Sequence, residues 1–383
     1  MRTDYKVLGD YIQLVDKRNR DLSVTNLLGV SIEKRFIPSI ANIIGTDLSS
    51  YKVVQTGQFA YGPVTSRNGE KISIAYLDGE DCIISSSYTV FEVVNKNELD
   101  PEYLMLWFSR PEFDRYARYK SHGSVREIFD WDELCLVELP VPAIEEQRNI
   151  VKAYKTITNR IALKKQINDN LVASLTAIYK ELFAEAETKF EKAPLQKLCS
   201  KIGSGATPKG GKAAYFDEGI SLIRSTNVFD FRFEYSDLAH INDEQANALS
   251  NVIVEPNDVL FNITGVSVAR CCMVPNNVLP ARVNQHVMIV RPIKGELMSY
   301  YIMFTLCSPD NKAKLLGIGQ SGSTREAINK QELESFEIPV PDDAILSKFG
   351  DAAKRVYSHI SDNVREIHAL EELKTVLLAE LSH

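Results

Sequence analysis

GSVREIFDWDELCLVELPVP, from Gly123 to Pro142, aligns without a gap to GSTREAINKQELESFEIPVP, from Gly322 to Pro341. Ten of the twenty positions are identical, at a constant offset of 199 residues. A weaker match precedes it at an offset of 198, where YLMLWFSRP from Tyr103 parallels YIMFTLCSP from Tyr301. Further back, GQFAY (Gly57 to Tyr61) has a strand-like counterpart in NDVLF (Asn257 to Phe261). A nearly fixed offset over such separated segments means that one structural unit occurs twice, each copy closing on Pro-Val-Pro, and a repeat dictates architecture ahead of any local propensity.

Each Pro-Val-Pro leads into a long stretch free of proline and nearly free of glycine, from about Ala143 to Glu187 and from about Asp343 to Leu381. In the first, Ile150, Tyr154, Ile157, Ile161, Leu171, Leu175, Ile178 and Leu182 fall at spacings of three and four, interrupted by Lys164 and Asn168. In the second, Phe349, Ala353, Val356, Ile360, Ile367, Leu370, Leu377 and Leu381 keep the same rhythm, interrupted by Asn363 and Lys374. Two such seams in one chain predict a coiled-coil pair, each helix about 60 Å long and unable to bury its stripe without the other. The expected plan is a domain over 1–142, a spacer helix over 143–190, a second domain over 191–341 and a second helix over 342–383. Antiparallel pairing of the helices would separate two similar globular domains in a pseudo-twofold repeat. The domains read as mixed α/β (α+β). CIISSSYTVFEVV, NVIVEPNDVLFNIT and HVMIVRP look like strands, and PEYLMLWFSRPEFDRYARY looks like a helix interrupted at Pro111.

The chain has 383 residues, of which 44% are apolar, enough for two cores. It shows neither an apolar run of membrane-spanning length nor a secretory leader pattern, so a cytoplasmic location is expected. Six cysteines without a CxxC pair fit reduced thiols. The net charge of −7 speaks at first sight against nucleic acid, and neither half is basic: residues 1–142 carry 16 basic and 21 acidic side chains, and 194–341 carry 14 and 15. Binding to DNA would then rest on local clusters, whose fields reach about 8 Å in physiological salt. Lys17, Arg18 and Arg20 form one such cluster, Lys34 and Arg35 another, and Arg110, Arg115, Arg118, Lys120 and Arg126 a third. Lys197, Lys201, Lys209, Lys212 and Arg224 surround a glycine-rich loop. Any of these taken alone is as readily an ordinary solvated face.

Catalytic patterns fail on inspection. Gly205 to Lys212 has one residue too many for a P-loop, Ala213 where magnesium would need a hydroxyl, and Pro208 within the amide nest. Glu372 and Lys374, which with Asp342 spell a nuclease motif, are two apart on a helix and point about 200° from one another. The six histidines form no metal-ligand spacing. Neither an Asn-Pro-Pro-Tyr motif nor a methyl-donor glycine loop is present. The chain is expected to be non-catalytic.

Two copies of a domain, each closed by an Ile/Leu-Pro-Val-Pro hinge and a long helix, resemble the specificity subunit of type I restriction–modification systems along essentially the whole chain. The motifs that carry the resemblance are Ser204-Gly-x-Thr-Pro208 followed by Tyr215-Phe216, the GSTREAI tail with its IPVP, and the hinge leading into Glu146-Gln147-Arg148. LLGVSIEKRFIPS and YKVVQTGQFAYGPV resemble another common form of target-recognition domain. The sequence departs from the family pattern at Lys209, near Ile223, and at Leu346-Ser347 of the second hinge. The resemblance implies that each domain reads one half of a bipartite, asymmetric DNA sequence. It further implies that the helices space the two halves and dock two methyltransferase subunits, with restriction (motor) subunits joining for cleavage. Cofactors would then belong to the partners (S-adenosylmethionine, ATP and magnesium) and none to this chain. A coiled-coil scaffold with two protein-binding domains is the alternative, and the acidic balance is its support.

The DNA-contact candidates in the first domain are Lys34, Arg35, Tyr61 and Arg67, with Tyr61 equally suited to the core because Phe261 aligns with it. Thr207, Lys209, Lys212 and Arg224 are those of the second. Ser124 with Arg126 and Ser323 with Arg325 occupy equivalent repeat positions before a helix, where hydroxyl, guanidinium and free amides suit a phosphate. Pairing of each arginine with the adjacent Glu127 or Glu326 serves the hinge equally well. Leu163 and Ile167 widen the first apolar seam and are the expected partner-docking residues.

Overall fold

The computed structural model describes residues 5–39, 45–66, 68–122, 127–183, 185–208, 214–320 and 327–381. It divides into two compact units, Met1–Leu163 with Ile367–His383, and Lys164–Glu366.

Unit 1 is built on a sheet of β1 (Ile12–Val15), β2 (Phe59–Tyr61), β3 (Ile74–Tyr76) and β4 (Thr89–Val93). The spatial order is β1-β4-β2-β3, every neighbour antiparallel. Strand side chains alternate between faces. Phe59, Tyr61, Ile74, Phe91 and Val93 therefore enter one core with the helices α1 (Pro101–Phe108) and α2 (Pro111–Lys120). Ala60, Ala75 and Val90 enter a second core, against the short strands Lys52–Val54 and Cys82–Ile84. The stretch CIISSSYTVFEVV is thus two strands, because Ser85 to Tyr88 turn the chain between them. The expected break at Pro111 is present. A proline lacks the amide that would continue α1, and it suits the first turn of α2.

Unit 2 repeats the design. β5 (Cys199–Ser204), β6 (Val259–Asn262), β7 (Cys271–Met273) and β8 (Val287–Pro292) lie in the order β5-β8-β6-β7, again antiparallel throughout. One face packs on α3 (Glu296–Cys307) and α4 (Pro309–Gln320), and the other on a core of its own. The aligned segments GQFAY and NDVLF occupy the same place, since β2 and β6 each lie between the strand that follows and β4 or β8.

The repeat holds at the level of single hydrogen bonds. Tyr103 Oη donates to the Pro140 carbonyl at 3.1 Å, and Tyr301 Oη to the Pro339 carbonyl at 2.7 Å. Each tyrosine ties a core helix to its Pro-Val-Pro hinge, which accounts for the tyrosine common to YLMLWF and YIMFTL. The hinge strands Glu138–Pro140 and Glu337–Pro339 pair in equivalent register with Tyr5–Val7 and Lys192–Pro194. Ahead of the central strands, Gly57 (φ +94°) and Asn257 (φ +70°) both turn the backbone through the left-handed region. Gln58 then accepts the Gln55 amide at 2.8 Å and donates to Glu92, whereas Asp258 accepts the Glu255 amide at 2.7 Å and is held by Arg291 at 2.7 and 2.8 Å. One buried site is filled by two different polar pairs.

The long helices run Ile144–Phe183 and Asp343–Glu380. In unit 1, Ile150, Val151 and Tyr154 share a core with Leu378 and Leu381. In unit 2, Leu175, Tyr179 and Phe183 share a core with Leu346, Phe349 and Ala353. Early residues of one helix meet late residues of the other, which is antiparallel pairing within each unit. Ile178, expected in the seam, is instead an exposed residue, and the partly buried ring of Tyr179 packs against Phe183, Phe304 and Phe349. The polar interruptions face each other. Lys164 Nζ donates to Asn363 Oδ1 and pairs with Glu366, both at 2.8 Å, and Asn363 Nδ2 donates to Asn168 Oδ1 at 2.7 Å. A satisfied polar layer in an apolar seam penalises every other register. Among the described residues, no helix is long and apolar enough to cross a membrane, and no group of three or more His, Cys, Asp or Glu side chains could hold a metal.

Candidate nucleic-acid interface

Antiparallel order brings the ends of β5 and β6 and the start of β8 together, since Ser204 pairs with Met288 and Asn262 with Val287. The polar residues that leave the sheet there form a connected group. Thr207 Oγ1 donates to Gln285 Oε1, Gln285 Nε2 meets His286 Nε2 at 3.1 Å, and His286 Nδ1 meets Thr264 Oγ1 at 2.7 Å. Below them Asn284 is buried; its Oδ1 accepts the His286 amide at 3.0 Å, and its own amide donates to the Ile223 carbonyl at 3.1 Å, next to Arg224. The glycine of the Ser-Gly-x-Thr-Pro motif has a steric cause, because a Cβ on Gly205 would lie 1.8 Å from the Val283 carbonyl oxygen. Only glycine lets this loop lie against the Asn284 turn and present Thr207.

The same end of the unit 1 sheet carries different groups. Lys17 and Arg20 follow β1 and are exposed. Arg18 is held by Asp16 and the Ser50 carbonyl, each at 2.8 Å. The turn before β4 is Ser85 to Ser87, whose hydroxyls lie 3.1 Å apart, at the positions equivalent to Asn284 to His286.

The expected contacts fare unequally. Tyr61 is a core residue: it is completely buried, packs edge-on to Phe91 and Phe129, and cannot reach a base. Lys34 is also withdrawn. Its side chain is 11% exposed, its ammonium pairs with Asp114 at 2.5 Å over the Phe113 ring, and burial pulls its pKa down. The Asp114 carboxylate also accepts the Ile72 amide at 3.0 Å, so this pair fastens a loop to α2. Arg35 beside it is exposed. The third basic cluster is largely neutralised, with Arg115 on Glu112, Arg118 on Glu127, Lys120 on Glu133, and Arg110 buried over Trp107. Arg224 stacks 5.5 Å from Tyr215 and donates to the Asp237 carbonyl. Arg67, Ser124, Arg126, Lys209, Lys212, Ser323 and Arg325 lie outside the described residues. Leu163 and Ile167 are exposed on the first long helix, at 57% and 37%. Thr264, Gln285 and His286 escaped the sequence reading. The signal for Gln285 and His286 was a polar triplet, Asn284-Gln285-His286, between two apolar strands, and Thr264 carried none.

Residues 36–173 match the family model of the type I restriction modification DNA specificity domain. The chain is 22% identical over 309 residues to the type I restriction enzyme MjaIX specificity subunit of Methanocaldococcus jannaschii, covering 76% of this chain and 70% of that protein. It is 20% identical over 354 residues to the putative type I restriction enzyme MjaX specificity subunit of the same organism, covering 86% and 79%. The crystal structure of a type I restriction–modification S subunit from M. genitalium superposes with a TM-score of 0.55 at 12% identity, over 99% of this chain and 96% of that one, so the fold is shared. The resemblance read from the sequence motifs is borne out.

Proposed function

We infer that this chain, which carries the DNA specificity domain of type I systems and resembles their specificity subunits along its length, reads a bipartite, asymmetric DNA sequence, one half per unit. The observation that carries this reading is the pairing of a common frame with unlike reading groups. The two sheets have one topology, yet the same sheet end bears Asn284-Gln285-His286 in one unit and Ser85-Ser86-Ser87 in the other. Discrimination between bases depends on which donors and acceptors face the groove, so two words require two different sets on similar scaffolds.

The chain performs no chemistry in this reading. It positions adenine methyltransferase subunits, which dock on the long helices at Leu163 and Ile167, and restriction subunits that join them. S-adenosylmethionine, ATP and magnesium belong to those partners. Phosphate contacts fall to Lys17, Arg20, Arg35 and Arg224 and to Arg67, Arg126, Lys209, Lys212 and Arg325, with Ser124 and Ser323 as hydroxyl donors, while the Thr207 hydroxyl already donates to Gln285. The test is single-molecule methylation sequencing of DNA from cells expressing the chain with its methyltransferase. Replacing residues 191–341 with the same domain of a relative should change one half of the methylated motif and leave the other intact. A change in both halves, or in neither, refutes the assignment of one word to each unit.

A further inference from the structure

The connection from β6 to β7 is a braced hairpin. The Asn262 amide donates to the Arg270 carbonyl at 2.8 Å, the Ala269 amide to the Asn262 carbonyl at 2.9 Å, and the Val268 amide to the Gly265 carbonyl at 2.9 Å. Thr264 is fixed from outside, by bridging to Ala327 and by its hydroxyl contact with His286. Gly265, at φ +67°, makes the tip turn. This order presents Val266, which is 97% exposed, the highest value among the large apolar side chains described. A loop that only closed a hairpin would gain nothing from holding a branched apolar side chain rigidly in water.

Beside the hairpin stands a second feature. Arg270, at its end, lies 4.8 Å from the centroid of the Phe229 ring, and Arg232 lies 5.1 Å from the same centroid. Among the described residues neither guanidinium forms a salt bridge with an acid, although the chain as a whole is acidic. Two like charges held on one ring, without a counterion from the protein, favour an anion with more than one charged group. The hairpin adjoins the Thr207–Gln285–His286 group through the Thr264 hydroxyl.

We propose that the β6–β7 hairpin is a base-reading finger of unit 2. Val266 meets the methyl group of a thymine in the major groove, and Arg232 and Arg270 hold the flanking phosphates. The inference rests on the DNA-reading function proposed above and assigns it to particular residues. A short apolar side chain recognises thymine by its C5 methyl group, which cytosine lacks. The two arginines set the depth at which the valine enters.

The full-length chain is used to select from a library of randomised 30-base-pair duplexes, and its affinity for the selected duplex is measured across salt concentrations. Val266→Ala should keep every preference except one thymine, where discrimination falls about five- to tenfold. Arg232→Gln with Arg270→Gln should weaken selected and random duplexes alike and reduce the salt slope by about two. The matching lysine variants should retain that slope. An unchanged word for Val266→Ala overturns the base contact. An unchanged slope for the glutamine pair, or an equal loss for the lysine pair, overturns the phosphate contacts. A wild-type chain that selects no word at all overturns the DNA-reading function, and the finger falls with it.

Discussion

Replacing Gln147 by leucine should destabilise unit 1 by about 3 kcal/mol, in a position where the other repeat already carries leucine. Gln147 is completely buried at the start of the first long helix. Its Nε2 donates to the carbonyls of Glu98 and Pro142, and its Oε1 accepts the amide of Asp100, all at 2.8 Å. Asp100 in turn caps α1, its carboxylate accepting the Glu102 and Tyr103 amides at 2.8 and 3.2 Å. One amide side chain therefore fastens the hinge, the long helix and the start of α1. Leucine is close in size but removes all three hydrogen bonds, each a net contribution of about 1 kcal/mol, and leaves buried backbone groups whose desolvation adds to the loss. At an offset of 199 the residue is Leu346, buried in the apolar core of unit 2. The chain's two tryptophans, Trp107 and Trp131, both lie in unit 1, so their fluorescence reports this unit. In urea, a loss of about 3 kcal/mol at a slope of about 2 kcal/mol per molar moves the midpoint down by about 1.5 M with the slope unchanged. A shift under about 0.5 M would refute the three-way clamp.

Three further outcomes follow from the same structure. Leu163→Glu with Ile167→Glu should weaken association with a methyltransferase subunit at least tenfold while the isolated chain unfolds as before, and unchanged affinity by calorimetric titration would place docking elsewhere. Inserting one heptad into each long helix, beside Asn168 and Asn363, adds about 10 Å, or about three base pairs of duplex; methylation should vanish or move to sites with a longer gap, and full activity at the original gap would show that the helices set no distance. Unit 1 should lose stability as pH rises above about 10, because burial pushes the Tyr103 phenol up to about 12. The unfolded chain ionises first, so the loss begins at the unfolded pKa and is complete above the folded one; Tyr103→Phe should flatten this part of an alkaline fluorescence titration.

The repeat, the two long helices and the hinges were legible in the linear sequence because each is written in local order. A constant offset survives whatever the chain does in space, and spacings of three and four depend only on the pitch of a helix. The polar interruptions Lys164, Asn168 and Asn363 were equally visible, although their meeting in one layer was not. The candidate interface was harder to read, because a side chain's availability depends on partners far away in sequence. Lys34 looked like a free cation until Asp114, eighty residues on, closed over it. Tyr61 read equally as a base contact or a core residue, and β4 with Phe129 decided for the core by covering it. Thr207, Thr264 and His286 are separated along the chain, and only the antiparallel order of β5, β8 and β6 brings them to one sheet end. Local periodicity determined which elements form and that they form twice. Which charges remain free to meet DNA was decided by the tertiary fold, because burial and pairing depend on distance in space and not on distance along the chain.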